Sequence, residues 1–126
     1  MKPVIYISGP MTGLPELNYP AFHAAAKAIE AAGFAACNPA ENHQGRTDLP
    51  HWLYLAHDLR ALTAADAMLQ LDGWRYSVGA KIEWRVARAI GLPIVTSEDL
   101  DRDPHGRLAA ACEFRRGIAQ KFGVAL

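Results

Sequence analysis

Val4-Ile5-Tyr6-Ile7-Ser8-Gly9-Pro10, near the start of the chain, decides its architecture. A short apolar run closed by glycine and proline is the pattern of a strand covered on both faces, as in a parallel sheet. Similar short runs return at residues 34–37, 67–71 and 93–96. Helical stretches separate them. Residues 19–32 carry Phe22, Ala25, Ala26 and Ile29 at helical spacing, with Asn18 as candidate cap, Pro20 in the first turn and Gly33 as the stop. Residues 50–65 put Trp52, Leu55, Leu59 and Leu62 on one predicted face, and residues 79–90 form a third helix closed by Gly91. Residues 38–50 read as too polar for core, 72–78 as a loop, 97–104 as a charged connector, and about 105–122 as a last helix. The order βαβαβαβα predicts one α/β domain over residues 1–126. The expected form is a three-layer, flavodoxin/Rossmann-like parallel sheet of strand order 2-1-3-4 with helices on both faces. Ligands in such sheets sit beyond the carboxyl ends of the strands, where the order reverses. That points to the loops after Ile7 and Leu71 and to the start of the third helix.

Composition narrows the classes of function. Hydrophobic residues make up 51% and charged residues 21%, which excludes a disordered chain. Thirteen basic residues balance thirteen acidic ones, so no net field draws the chain to a nucleic acid polymer or an anionic membrane. Cys37 and Cys112 lie far apart and form no CxxC pair, as in a reduced, cytoplasmic protein. No leader pattern precedes the first strand, and no uncharged run is long enough to span a bilayer. The five histidines lack metal-ligand spacing, and HExxH is absent, so no metal is expected. Gly9-Pro10-Met11-Thr12-Gly13 is neither a P-loop nor GxGxxG, and reads first as a turn.

The third helix carries the sharpest signal. Gly79, Ile82, Val86, Ala87 and Ile90 build an apolar stripe, and Glu83 lies inside it, while Lys81, Arg85 and Arg88 point to solvent. A carboxylate on a buried face is costly unless it is paired or used. Its place one turn from a helix N-terminus favours the ionised form, which suits a nucleophile. The competing account is structural: Glu83 pairs with a buried arginine or caps a backbone group. Asp58 borders the apolar face of the second helix, either as a structural pair or as a proton donor converging on the same cleft. Asp66 reads as a structural cap before the third strand. Trp74 either offers a stacking face to a ligand or covers the end of the sheet. Arg115, within the stripe of Leu108, Ala111, Cys112, Ala119 and Phe122, either snorkels or meets a second subunit.

These residues in order resemble the nucleoside 2-deoxyribosyltransferase-like superfamily: Val4 to Pro10, Asn38-Pro39, Asp58-Leu59, Ala65-Asp66-Ala67, and Ser77-Val78-Gly79-Ala80-Lys81-Ile82-Glu83. The likeness covers residues 4–95, and GPMTGLPELNYPAF at residues 9–22 is similar to a phage and bacterial branch. The resemblance implies cleavage or exchange of an N-glycosidic bond in a nucleoside or nucleoside 5′-monophosphate, with no cofactor required. Glu83 would be the nucleophile, Asp58 the proton donor, and Tyr6 the residue orienting Glu83. Ser8, Gly9, Pro10, Met11, Asn38, Gly73, Trp74, Ser77 and Gly79 would form the substrate seat. A homodimer or higher homo-oligomer is implied as well. The transferases carry aspartate where this chain has Ser77. The nucleotide N-glycosidase branch carries serine there, so Ser77, the Gly79 amide and the helix N-terminus would suit a 5′-phosphate. Lys81 replaces a small residue and would blunt Glu83 if it folded inward. The rival readings are a noncatalytic nucleotide sensor, marked by Lys81 and the loop at residues 42–49, and an interaction module docking through its last helix.

Overall fold

A computed structural model describes residues 1–41 and 48–125. Its strands are β1 (Val4–Ser8), β2 (Ala35–Cys37), β3 (Ala67–Gln70) and β4 (Ile94–Thr96), and its helices α1 (Tyr19–Ala31), α2 (His51–Ala64), α3 (Val78–Ala89), α4 (Ser97–Arg102) and α5 (Pro104–Lys121). The strands are parallel and ordered β2-β1-β3-β4, as the sequence predicts. The register sets Tyr6 beside Met68 and Met68 beside Ile94. One step on, it sets Ser8 beside Gln70 and Gln70 beside Thr96.

Alternation along each strand splits the core in two. Ile5, Ile7 and Leu69 pack with Phe22 and Ile29 of α1, Leu100 of α4 and Leu108 of α5. Tyr6 and Met68 face the opposite way and pack with Leu62 of α2 and Ala87 of α3. Polar residues on that second face, Ser8 and Gln70, are buried at the carboxyl end of the sheet.

Several local expectations differ from the structure. Asn18 does not cap α1 with its side chain. Its backbone is left-handed (φ 60°), as are Glu16 (φ 52°) and Leu17 (φ 53°), and its Nδ2 donates to the Pro10 carbonyl at 2.9 Å. That bond ties down a turn in which three consecutive non-glycine residues occupy a costly region. The segment expected to be a connector contains α4, started by a capping box. Thr96 Oγ1 accepts from the Asp99 amide, and the Asp99 carboxylate accepts from the Thr96 amide. The start of the polar stretch is also core, for Asn38 and Ala40 are buried. On α2 only Leu62 of the expected face is fully buried, and Trp52 is 68% exposed.

Gly9 answers to a close approach. A Cβ there would lie 2.8 Å from Leu71 Cβ, because the Leu71 amide donates to the Ser8 carbonyl at 2.8 Å. Asp66 is structural, as expected: it accepts from the Val4 amide at 2.8 Å and from Arg116 Nε and Nη2, each at 2.9 Å. Arg115 turns inward and donates to the Ala65 carbonyl at 3.2 Å. Among the described residues no helix is long and apolar enough to cross a membrane.

Candidate functional site

The site begins with the strand period of two, which sends Tyr6 and Ser8 from β1 to the side covered by α2 and α3. Small residues Ala80 and Ala87 line the buried face of α3 with Glu83 between them. They let the helix approach the sheet closely enough for the glutamate to reach β1. The Tyr6 hydroxyl donates to Glu83 Oε2, and Ser8 Oγ donates to Oε1 at 2.9 Å. Both carboxylate oxygens are thus held by neutral hydroxyls, and the residue is 7% exposed.

Among the described residues Glu83 makes no ion pair. The account in which a buried arginine neutralises it fails there, and so does the inward-folding Lys81. Burial pushes the Glu83 carboxyl up from its ordinary 4.5 to about 7. The hydrogen bonds from Tyr6 and then Ser8 pull it down, and the charge of Asp58 raises it further. The helix N-terminus therefore does not keep this acid fully ionised at neutral pH, because desolvation outweighs it. Burial, followed by the charges of Glu83 and Asp58, pushes the Tyr6 phenol far above its ordinary range, so it stays a donor. Asp58 comes from α2, is partly buried, and lies with Oδ1 3.7 Å from His57 Nδ1. Its charge raises the pKa of both Glu83 and Tyr6.

The expected substrate seat divides into residues turned inward and residues left at the surface. Ser8 is fully buried and donates to Glu83, so it supports the carboxylate. Asn38 is buried too, accepting from the Ala40 amide at 3.0 Å and meeting His23 Nδ1 at 3.1 Å, which makes it a former of its own loop. Pro10 is buried, and Met11 packs against the core of the α1 side. Gly73 adopts φ 83° and approaches Pro10, joining the two loops at the carboxyl ends of β1 and β3. Ser77 caps α3, its Oγ accepting from the Ala80 amide at 3.2 Å, which leaves its proton to donate outward. The space before Gly79 is open. Trp74 is no open platform, since its indole stacks on Trp84 with centroids 5.3 Å apart. Residues 42–47, most of the loop expected to mark a sensor, lie outside the described residues.

Two features escape sequence reasoning. Ser8 as a second donor to Glu83 was available from strand alternation, which puts it on the face of Tyr6. The pairing of Trp74 with Trp84 had no local signal. Among the described residues no group of three His, Cys, Asp or Glu side chains gathers to hold a metal.

Comparisons with known proteins agree with this geometry at the level of the fold. The family described as a domain of unknown function (DUF4406) matches residues 3–96. The structure is similar to that of a 2-deoxyribosyltransferase from the psychrotolerant bacterium Bacillus psychrosaccharolyticus, described as a biocatalyst for nucleoside synthesis. The TM-score is 0.60 and the identity 18%, over 74% of this chain and 70% of that one. No curated protein matches the sequence.

Proposed function

This chain belongs to the DUF4406 family, and we propose that it cleaves or exchanges the N-glycosidic bond of a nucleoside or nucleoside 5′-monophosphate. The observation that carries the reading is Glu83: a buried carboxylate held by two neutral hydroxyls at the carboxyl end of a parallel sheet. Such a group is poorly explained as a structural ion pair and well suited to attack.

In the proposed reaction a carboxylate oxygen of Glu83 bonds to the anomeric carbon as the bond from that carbon to the base nitrogen breaks. The departing base keeps the bonding electrons and takes a proton from Asp58. Water, giving the free sugar, or a second base, giving exchange, then attacks the anomeric carbon of the glycosyl ester; the ester C–O bond breaks back to the Glu83 carboxylate, and the proton of the incoming group passes to the Asp58 carboxylate. Tyr6 and Ser8 hold the two oxygens of Glu83 in place. Ser77 and the Gly79 amide suit a 5′-phosphate, which favours a nucleoside monophosphate substrate and hydrolysis. Assembly as a homodimer belongs to the same proposal and is checked by light scattering.

The test is release of free base from a panel of nucleosides and nucleotides, compared with Glu83→Ala. Wild-type release that is lost in the variant supports the reading, and equal release by both removes Glu83 from the mechanism. Because only ionised Glu83 attacks, kcat/KM rises with pH through a midpoint near 7.

A further inference from the structure

We infer that the groove between α3 and the β4 edge is a second ligand site, for an uncharged planar ring compound carrying a carbonyl, anchored by the Gln70 amide. Of the residues given roles in the glycosidic reading, Trp74 alone lines this groove and Glu83, Asp58 and Tyr6 do not, so the inference does not depend on that reaction.

The groove has a volume of about 610 Å³. Its floor is the end of the sheet, where Gln70 lies between Ser8 and Thr96 in register and is 6% exposed. Gln70 Nε2 is buried and finds no hydrogen-bond partner among the described residues. A buried amide donor without an acceptor is rare and unfavourable, and a ligand oxygen placed against it removes the penalty. That sets the first requirement, an acceptor.

The wall sets the second. Arg75 lies over the Trp74 ring at 4.8 Å, Trp74 stacks on Trp84, and Arg88 lies over the Trp84 ring at 5.4 Å. The indole faces are taken within this ladder, so it meets a flat ligand with its guanidinium planes and ring edges. The rim sets the third, because Asp72 and Glu98 line the same groove as the two guanidiniums. An anion would sit beside two carboxylates. A cation would meet two guanidiniums and an anchor of the wrong polarity. An uncharged ring with a carbonyl, the chemistry of an oxopyrimidine, oxopurine or aromatic amide, satisfies all three.

The experiment titrates the full chain with uracil, hypoxanthine and benzamide, and separately with acetate and inorganic phosphate. It follows the indole N–H resonances of Trp74 and Trp84, assigned through Trp→Phe variants, with Trp52 as internal control. The expected result is saturable shifts at Trp74 and Trp84 with at least one carbonyl ring. Affinity falls about tenfold or more in Gln70→Leu and in Gln70→Glu, and is unchanged in Glu83→Gln. Having two variants guards against one that fails to fold. Shifts that persist in both Gln70 variants, loss of binding in Glu83→Gln, tighter binding of acetate or phosphate than of any ring, or no saturable shift with any of the three rings overturns the inference.

Discussion

Glu83→Gln is expected to make the protein more stable at pH 8 while abolishing base release. An acid whose pKa is raised by folding binds its proton more tightly in the native state than in the unfolded chain. Native protein therefore holds more protons between the two values, and stability falls as pH rises through that window. For Glu83 the window runs from 4.5 to about 7. Below it the side chain is neutral in both states and no penalty exists. Above it the folded protein carries a desolvated anion, and at about 1.4 kcal/mol per pH unit the cost is about 3 kcal/mol. Glutamine has nearly the same shape, accepts from the Tyr6 hydroxyl, and never ionises. Chemical denaturation of both proteins from pH 4 to pH 9 checks the claim, because other titrating groups cancel in the difference. The two should coincide near pH 4.5, diverge through neutrality, and differ by about 3 kcal/mol above pH 7.5, or roughly 10 °C in Tm for a chain of 126 residues. A variant no more stable than wild type at pH 8, or a difference that does not change with pH, refutes a buried and strained carboxylate.

Ser8→Ala removes one of the two donors to Glu83, and because that donor lowers the carboxyl pKa, the midpoint of the pH–activity curve should move upward. Activity at pH 7 is expected to fall about tenfold or more, measured by base release. Gly9→Ala places a methyl group 2.8 Å from Leu71 Cβ and should cost about 2 kcal/mol in urea denaturation. Asp66→Asn turns an amide N–H toward Arg116 or gives up the Val4 amide; a loss of about 1 kcal/mol is expected, and no loss would show the contacts to be idle.

The sheet was legible because its signals are local. A run such as Val4-Ile5-Tyr6-Ile7 closed by Gly9-Pro10 needs no knowledge of the rest of the chain to be read as a buried strand, and four such runs with helices between them fix the topology by handedness. Glu83 was legible for the same reason, as one charge in an apolar stripe. The structure's departures are nonlocal. Asn18 has the composition of a cap, but the turn before it winds left-handed and directs its amide to Pro10. Trp52 shares a helical spacing with Leu62, yet α2 meets the core only at its far end, and spacing carries no information about which end docks. Asn38 is polar, and its burial follows from a loop that needs a side-chain acceptor for the Ala40 amide.

The sequence also gets the electrostatics of Glu83 partly wrong, and the reason bears on catalysis. A helix N-terminus stabilises an anion by a fraction of a kcal/mol to about 1 at an exposed site. Burial at 7% exposure costs more than that, even with two hydroxyls donating. Replacing the hydroxyls with an arginine would ionise the acid fully and fix its orientation, but it would also neutralise its charge and weaken its attack. Neutral donors do something different: they fix both oxygens in space and leave the negative charge uncompensated, so that in the proposed reaction it would be free to meet a cationic sugar centre. Under that proposal the interaction would be strongest in the transition state, which is where binding accelerates a reaction. A pKa near 7 follows from this arrangement. The charge of Asp58 raises it further and makes Glu83 harder to ionise.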